Sequence, residues 1–436
     1  MNGIFFAIVA IAFAIAGFRQ VFWTADGLDE RTPMEVLSLS MVDTAGGAVT
    51  LAIGLVGVMA LFLGLMKVAE AGGLLVIIAR TVRPLMVRLF PDVPADHPAM
   101  GAMILNMSAN VLGLGNAATP FGIRAMQELD KLNTDKGTAT NAMALFLAIN
   151  TSSVTLLPTG IIALRAAAGS NDPAGIMPTT LFATIVSTTV AIVSVKLYQR
   201  FWPVPGADDT NPESSDDADA APALPEDAAQ LQNSATEGYP GWVSLMVLGV
   251  IAALVPLTIL YGKVIAPWII PGLMVALLSF GLARKVPVYE VFVEGAKDGF
   301  QVALRIIPYL VAILVAVGMF RASGAMEMLV GPLGRFTSLF GLPPEALSMA
   351  LLRPLSGSGA YGIVASVIQD PAIGPDSYTG YLVSTLQGST ETTFYVIAVY
   401  FGAVQVRRIR HTLAAGLTAD FAGVVAAVVI CTILFT

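Results

Sequence analysis

NMSANVLGLGN (residues 106–116) and AINTSSVTLLPTG (148–160) interrupt long apolar stretches in the first half of the chain, and RPLSGSGAYG (353–362) and TLQGSTETTF (385–394) do so in the second. Each is polar, and each holds residues that break a helix. Backbone polar groups in hydrocarbon need hydrogen-bond partners, so a broken membrane helix survives only where protein surrounds it or where it lines a wet cavity. Breaks duplicated at matching places in two halves are the pattern of a solute site between repeats.

Composition sets the surroundings of these breaks. Of 436 residues, 56% are hydrophobic and only 12% charged, with a mean hydropathy of +0.77. That is the profile of an all-α polytopic membrane protein with little room for a soluble catalytic domain. The single cysteine, Cys431, excludes a disulfide framework or a cysteine metal cluster within one chain. His97 and His411 stand far apart, so no histidine metal centre is expected. P-loop, nucleophile-elbow and HExxH patterns are missing, which argues against ATP-driven transport by this chain alone and against an enzyme.

Residues 204–238 divide the chain. They carry nine acidic residues, no basic one and almost no large apolar side chain, the composition of a solvated tether. Without this segment the remainder carries a formal charge of +2, so the net −7 says little about partners and leaves no basic footprint for nucleic acid. The organisation is a first membrane module at 1–203, an acidic linker at 204–238 and a second module at 239–436. The first apolar stretch, 2–22, lacks a basic leader and a small-residue cleavage site, and it reads as a membrane helix.

The modules align with each other. GLMKVAEAGGLL from Gly64 resembles GMFRASGAMEML from Gly318, Asn106 falls near Arg353, Asn150 pairs with Gln387 and Val154 with Glu391. Expected spans are 2–22, 46–69, 72–90, 98–129, 137–168 and 175–201, then 241–262, 264–283, 301–321, 324–340, 345–370, 378–405 and 413–435, with the breaks inside four of them. Basic residues at 131–136, 196–200, 284–285 and 407–411 mark the cytoplasmic side; acidic 26–43 and the 370–377 loop mark the outside. These constraints hold together if 72–90 and 324–340 cross the membrane. The N-terminus is then inside, the C-terminus outside and the repeats inverted; if the arginine-bearing 72–90 is instead an interfacial or re-entrant helix, the count changes and the repeats can be parallel.

Candidate substrate-binding groups are Asn106, Ser108, Asn110 and Asn116 in the first break, with Thr119 beyond it, and Asn150, Thr151, Ser152 and Ser153 in the second. The third and fourth breaks add Arg353, Ser356, Ser358, Gln387, Ser389 and Thr390, while Glu391, Thr155 and Thr392 are candidates for ion or proton coupling. Amide and hydroxyl groups suit a polar solute or, through oxygen, a Na⁺ ion. Singly, such residues more often serve helix packing; four clusters at repeat-related places favour a site. Arg353 and Glu391 are intramembrane charges, which are costly and point to function, or else to a mutual ion pair locking the breaks. Neither metal nor organic cofactor is expected, with Na⁺ or H⁺ as the coupling ion. The expected partners are a small-molecule substrate and the lipid bilayer, with a homo-oligomer left open.

At these breaks the chain resembles the spore maturation proteins. NMSANVLGLGNAATPFGIRAMQEL and NTSSVTLLPTG are similar to spore maturation protein A, and RPLSGSGAYG and QGSTETTFYVIAVYFG to spore maturation protein B. The resemblance implies a fusion of the two within the nucleoside-recognition, or Gate, superfamily, which includes gates of ferrous iron transporters and proteins similar to concentrative nucleoside transporters. It implies Gate-type helical modules. Taken with the four breaks, the expectation is two such modules in the cytoplasmic (inner) membrane, forming a secondary transporter of a small polar metabolite, nucleoside-like or carboxylate-bearing. The family name does not establish a substrate. The alternative from another class is a non-transporting membrane scaffold for envelope or peptidoglycan maturation. Convergence of the four breaks on one cavity separates the two.

Overall fold

The computed structural model describes residues 2–24, 31–113, 115–202, 238–329 and 331–435; most of the acidic linker lies outside the described residues. The described residues form helices without a strand, joined at one place by an isolated bridge between Thr138 and Arg408. The first half comprises α1 (Asn2–Val21), α2 (Pro33–Ala71), α3 (Leu74–Leu89), α4 (Pro98–Val111), α5 (Gly115–Lys131), α6 (Asn141–Thr151), α7 (Thr159–Ala167) and α8 (Met177–Tyr198). The second comprises α9 (Gly241–Ala283), α10 (Val288–Ala322), α11 (Ala325–Leu329), α12 (Gly331–Ser338), α13 (Pro344–Leu352), α14 (Gly357–Gln369), α15 (Tyr378–Ser389), α16 (Thr393–Gly402) and α17 (Thr412–Phe435). From α2 to α8 and from α10 to α17 the order repeats, with α11 and α12 standing for α3.

Local signals start and stop these helices. Thr32 and Glu35 form a reciprocal capping box at the start of α2. Thr140, Ser356 and Ser377 cap α6, α14 and α15 by accepting a backbone N–H three residues on. The long helix of each half ends in a glycine at positive φ, Gly73 (83°) and Gly324 (82°), which turns the chain sharply where a side chain would be strained.

That turn explains the first correction. The expected crossings at 72–90 and 324–340 do not occur. At about 1.5 Å per residue, the 16 residues of α3 fall short of a hydrocarbon layer about 30 Å thick, and α3 carries Arg80, Arg83 and Arg88. α11 and α12 have 5 and 8 residues and are shorter still. Three described helical stretches are long and apolar enough to span: 33–71, 173–198 and 412–435.

The segments 98–129 and 345–370 also differ from expectation, because they are re-entrant hairpins. Asn106 Nδ2 donates to Ala118 O at 2.7 Å, which folds α5 back along α4. Both ends of this hairpin lie on the basic face: residues 89–92 line a cavity with Asn141, Lys196 and Gln199. The second hairpin begins and ends on the acidic face. Tyr378 Oη donates to Gly341 O just before α13, and Arg321 pairs with Asp370 at the end of α14, at 3.0 Å.

These two differences cancel in each half. The chain still reaches 131–136, 196–200, 284–285 and 407–411 on one face and 370–377 on the other, so the inverted arrangement stands on a different set of crossings. α9 replaces the spans 241–262 and 264–283 with one helical element of 43 residues. It doubles back all the same, since Ser244 donates to Thr81 O at one end while Phe280 packs against Gly72 at the other.

The inversion is visible in packing. α2 and α10, repeat equivalents, run antiparallel: Gly64 meets Phe292, Gly299 meets Ala60 and Gly318 meets Thr44. A Cβ on Gly299 would sit 2.6 Å from Ala60 Cα, so the two backbones touch there. Small residues permit such close approach in membranes, where packing replaces the hydrophobic drive. α8 and α17 also run antiparallel, with Thr179 and Cys431 meeting at Thr385 near one end and Tyr198 meeting Thr418 toward the other.

Among the described residues two large hydrophobic cores result, beside a small third cluster of Ala12, Ala16, Leu37 and Met319. One surrounds the first hairpin and includes Tyr400 and Phe401 of α16; the other surrounds the second hairpin and includes Ile161, Ile162 and Leu164 of α7. Each half thus lends the helix after its second break to the other half's core. Arg165, fully buried, fixes this exchange on the acidic face by pairing with Asp376 at 3.1 Å, donating to Pro375 O and stacking over Tyr381 at 4.1 Å. Burial alone would push the Asp376 carboxyl up, but hydrogen bonds from Ser170 and Asn171 and the Arg165 charge hold it below the usual carboxylate range. Sequence reading gave no role to Arg165.

Two outcomes test this architecture. In membrane vesicles, an impermeant maleimide should label K136C and A372C from opposite sides, while the fully buried Cys431 stays unlabelled. G299L should destabilise the purified protein by about 1–3 kcal/mol, the cost of overpacking, read as a lowered melting temperature.

Candidate functional site

The four breaks meet at one cavity of about 720 Å³. Its wall takes Asn110 and Gly113 from the first, Ser153, Thr155 and Leu157 to Gly160 from the second with Ile161 just after it, Arg353, Ser356, Gly357 and Ser358 from the third, and Gln387, Glu391 and Thr392 from the fourth. Such a volume suits a small organic molecule.

The breaks are built as two equivalent pairs. In the first half Leu156 N donates to Val111 O at 3.0 Å, and Asn110 Nδ2 donates to Asn150 Oδ1 at 2.9 Å. In the second half Phe394 N donates to Pro354 O at 3.1 Å and joins the corresponding pair of breaks. Gly113 adopts φ 76° at the first hairpin's tip, where a Cβ would collide with Leu157 O. Bonds also cross between halves: Glu391 N donates to Thr151 O at 2.9 Å, and Tyr361 Oη donates to Gly160 O at 3.2 Å.

Arg353 organises the charged side. It is only 6% exposed. Its Nη1 donates to Thr392 Oγ1 at 3.0 Å, and its Nη2 donates to Gln387 O at 3.3 Å and to Thr390 O. Nη2 also lies 3.6 Å from Glu391 Oε2, so the ion pair foreseen from the sequence forms. The partners are unequal, because the Glu391 side chain is 55% exposed. Arg353 is held mainly by carbonyls and a hydroxyl, and Glu391 is free to face the cavity.

Other expected site residues lie behind the wall. Ser108, Thr151 and Ser152 are buried and donate to carbonyls one turn back in their own helices. Asn150 likewise donates to Phe146 O, and Ser389 and Thr390 donate to Leu386 O. Asn106 staples the first hairpin and reaches Tyr400 Oη at 3.2 Å. These residues shape the breaks without lining the cavity. Asn116 sits in the first turn of α5, and its side chain lies outside the described residues. Thr155 and Thr392 do line the cavity beside Glu391.

The sequence reading gave no role to Tyr361, inside the third break, or to Tyr395, directly after the fourth, and both line the cavity. Their position in otherwise apolar helices was the available signal. It also missed Asp420 of α17, 5% exposed, whose Oδ2 accepts from Thr393 Oγ1 at 2.6 Å at the start of α16. Among the described residues, no cluster of histidine, cysteine or carboxylate side chains could hold a metal ion.

The Gate family, described as nucleoside recognition, matches residues 52–168 and 303–407, together just over half of the chain and including all four breaks. Spore maturation protein B of Bacillus subtilis is 47% identical over 166 residues, covering 38% of this chain and 92% of that protein. Spore maturation protein A of the same organism is 49% identical over 146 residues, covering 34% of this chain and 74% of its own length, on a different part. A solved structure of a CNTnw variant in an outward-facing state aligns with TM-score 0.46 at 11% identity, over 100% of this chain and 99% of that one. The chain is a multi-pass membrane protein of the Gate nucleoside-recognition family, uniting in one polypeptide regions related to spore maturation proteins A and B.

Proposed function

We propose that this protein is a secondary transporter of the cytoplasmic (inner) membrane that moves a small polar metabolite by alternating access around its four broken helices. The observation that carries this reading is the convergence of all four breaks, with their polar side chains, on one cavity between the two repeats. A scaffold would need the breaks only as packing joints, facing lipid or closed against each other. Ser153, Thr155, Ser356, Ser358, Gln387 and Asn110 supply neutral donors and acceptors for the solute, which is nucleoside-like or carboxylate-bearing.

The bonded core limits how access can alternate. Parting the halves at the cavity would break the bonds from Glu391 N to Thr151 O and from Tyr361 to Gly160 O. The hairpins and broken helices therefore move together against the α2–α10 pair. Glu391 is the coupling group: half-exposed beside Thr155 and Thr392, it takes a proton or shares a Na⁺ ion with their oxygens, and its occupancy changes the pull on Arg353.

Uptake into proteoliposomes under imposed Na⁺ and pH gradients tests this reading. E391Q should abolish or alter the ion dependence of uptake; unchanged uptake and ion dependence in both E391Q and R353Q would refute the coupling role. Stability should respond unequally. R353Q leaves three acceptors bare in the interior and should cost about 3 kcal/mol, whereas E391Q, at a half-exposed position, should cost less than about 1 kcal/mol, both read by thermal unfolding.

A further inference from the structure

Asp420 of α17 is buried where the breaks meet, yet it takes no part in the cavity wall. It lies about 12 Å from the start of α17, at 1.5 Å per residue, and is only 5% exposed. One face of α17 carries it between Gly416 and Gly423, and that face packs on the ends of two breaks. A Cβ on Gly416 would sit 2.9 Å from Thr393 Cγ2 and 3.8 Å from Thr151 Oγ1; one on Gly423 would sit 3.0 Å from Thr390 Cγ2 and 3.4 Å from Ser187 Oγ. Asp420 is therefore placed behind the cavity, under the loop of residues 390–393.

Its two carboxyl oxygens are unequally served. Thr393 Oγ1 donates to Oδ2 at 2.6 Å, while Oδ1 is sealed from solvent without a hydrogen-bond partner. The charge whose field reaches Asp420 is Arg353, on the other side of the same loop: Thr392 bonds Arg353, and the next residue, Thr393, bonds Asp420. Among the described residues the two form no ion pair, and Arg353 pairs with Glu391 instead.

The other elements packed on this face bring no second charge close. α6 carries no titratable side chain. On α8, Lys196 and Tyr198 stand about 13 Å or more beyond Ser187, toward the basic face. Tyr378 and Tyr381 lie at the acidic-face end of α15, Tyr395 of α16 is on the cavity wall, and Tyr400 is bonded by Asn106. On α17 itself Cys431 is about three turns away.

Charge balance then decides the state of Asp420. Arg353 and Glu391 offset each other at 3.6 Å, so an ionised Asp420 would leave one negative charge uncompensated in a dry interior. A carboxyl so placed neutralises instead. A Na⁺ ion would need a shell of oxygens and the space to hold them, and the threonines press on α17 at both sides of Asp420. A proton needs no such room.

We propose that Asp420 is a proton-binding site that trades its proton against the occupancy of Glu391. Arg353 carries one charge and needs one carboxylate. While Glu391 is ionised, Asp420 holds a proton. When Glu391 takes a proton or Na⁺ from the cavity, the Asp420 O–H bond breaks, water takes the proton, and the carboxylate left behind balances Arg353 across the loop. One positive charge enters at Glu391 and one leaves at Asp420. This rests on the coupling role read for Glu391 and adds a second carboxyl to it.

Infrared spectra of the full-length protein in nanodiscs test the exchange without a substrate. A protonated carboxyl shows a carbonyl stretch above the amide band that shifts in heavy water. The wild type at neutral pH should show this band, D420N should lose it, and T393V, which removes the bonded hydroxyl and keeps the carboxyl, should move it without losing it. Should D420N not fold, T393V decides, because a band from Asp420 responds to that hydroxyl. In titrations from about pH 5 to about pH 9, E391Q removes the competing carboxylate and should lower the pH at which the band disappears by about one unit or more; R353Q should raise it. A wild type without the band, a band that survives D420N or ignores T393V, or one that persists across the titration in E391Q would each overturn the proposal. So would Na⁺ displacing the band in E391Q, where the cavity carboxylate is gone. Absence of uptake in every gradient, with the band responding as stated, would defeat the transporter reading and leave the site; ion-dependent uptake without the band would defeat the site alone.

Discussion

Each broken helix leaves backbone carbonyls and amides without partners inside the layer that the bilayer keeps dry, and the rest of the molecule is arranged around that cost. An unpaired buried polar group costs about 1–3 kcal/mol, and four breaks expose several such groups. The first break is closed by the second, through Leu156 and Val111, and the third by the fourth, through Phe394 and Pro354. Because each closure joins segments about forty residues apart in sequence, the hairpins cannot fold independently of the broken helices. A cavity is what remains where these closures surround space too polar to collapse.

The two-core plan follows. Helices α7 and α16, leaving the breaks in opposite directions, enter the core of the other half, so Ile161 and Leu164 pack with the second hairpin while Tyr400 and Phe401 pack with the first. Arg165 on the acidic face and the strap of residues 137–139 against 407–410 on the basic face then tie the halves at each end of the exchange. Ala139 N donates to Arg408 O at 2.9 Å, and Arg410 Nη1 donates to Asn141 Oδ1 at 3.0 Å. The α2 and α10 helices meet each other through glycine contacts, and both also lend side chains to the second core.

Much of this was legible in the residues. Breaks announce themselves by polarity inside apolar runs, and the Gly64 and Gly318 alignment identified α2 and α10 as equivalents. The Arg353–Glu391 pair could be foreseen because two charges in hydrocarbon have few other options. What could not be read was direction. A polar break looks alike whether the chain continues across or turns back, so the hairpins at 98–129 and 345–370 read as spans, and α3, amphipathic and arginine-bearing, read as another. Nor could burial be apportioned within a cluster: Asn106, Ser108, Thr151 and Ser152 resemble Asn110 and Ser153 in sequence. Helical phase decided that Ser108, Thr151 and Ser152 bond to their own turns, and the hairpin's return that Asn106 bonds across to Ala118 O.

The charge asymmetry of the site has a structural origin in one missing reciprocal bond. In the first half the end of α6 is closed by a backbone donor from the opposite half, Glu391 N to Thr151 O. The pairing of Val154 with Glu391, and hence of Thr151 with Gly388, would have Val154 N close the end of α15 at Gly388 O. Among the described residues that bond is not made, and the Arg353 guanidinium takes the neighbouring Gln387 O and Thr390 O instead. A side chain thus does in the second half what the backbone does in the first, which brings a full positive charge to the cavity wall. Glu391 then faces that charge from the same loop whose N–H serves the other half. Backbone closure, ion pair and cavity electrostatics are one arrangement, so any movement of Glu391 is felt at Thr151 and Arg353 together.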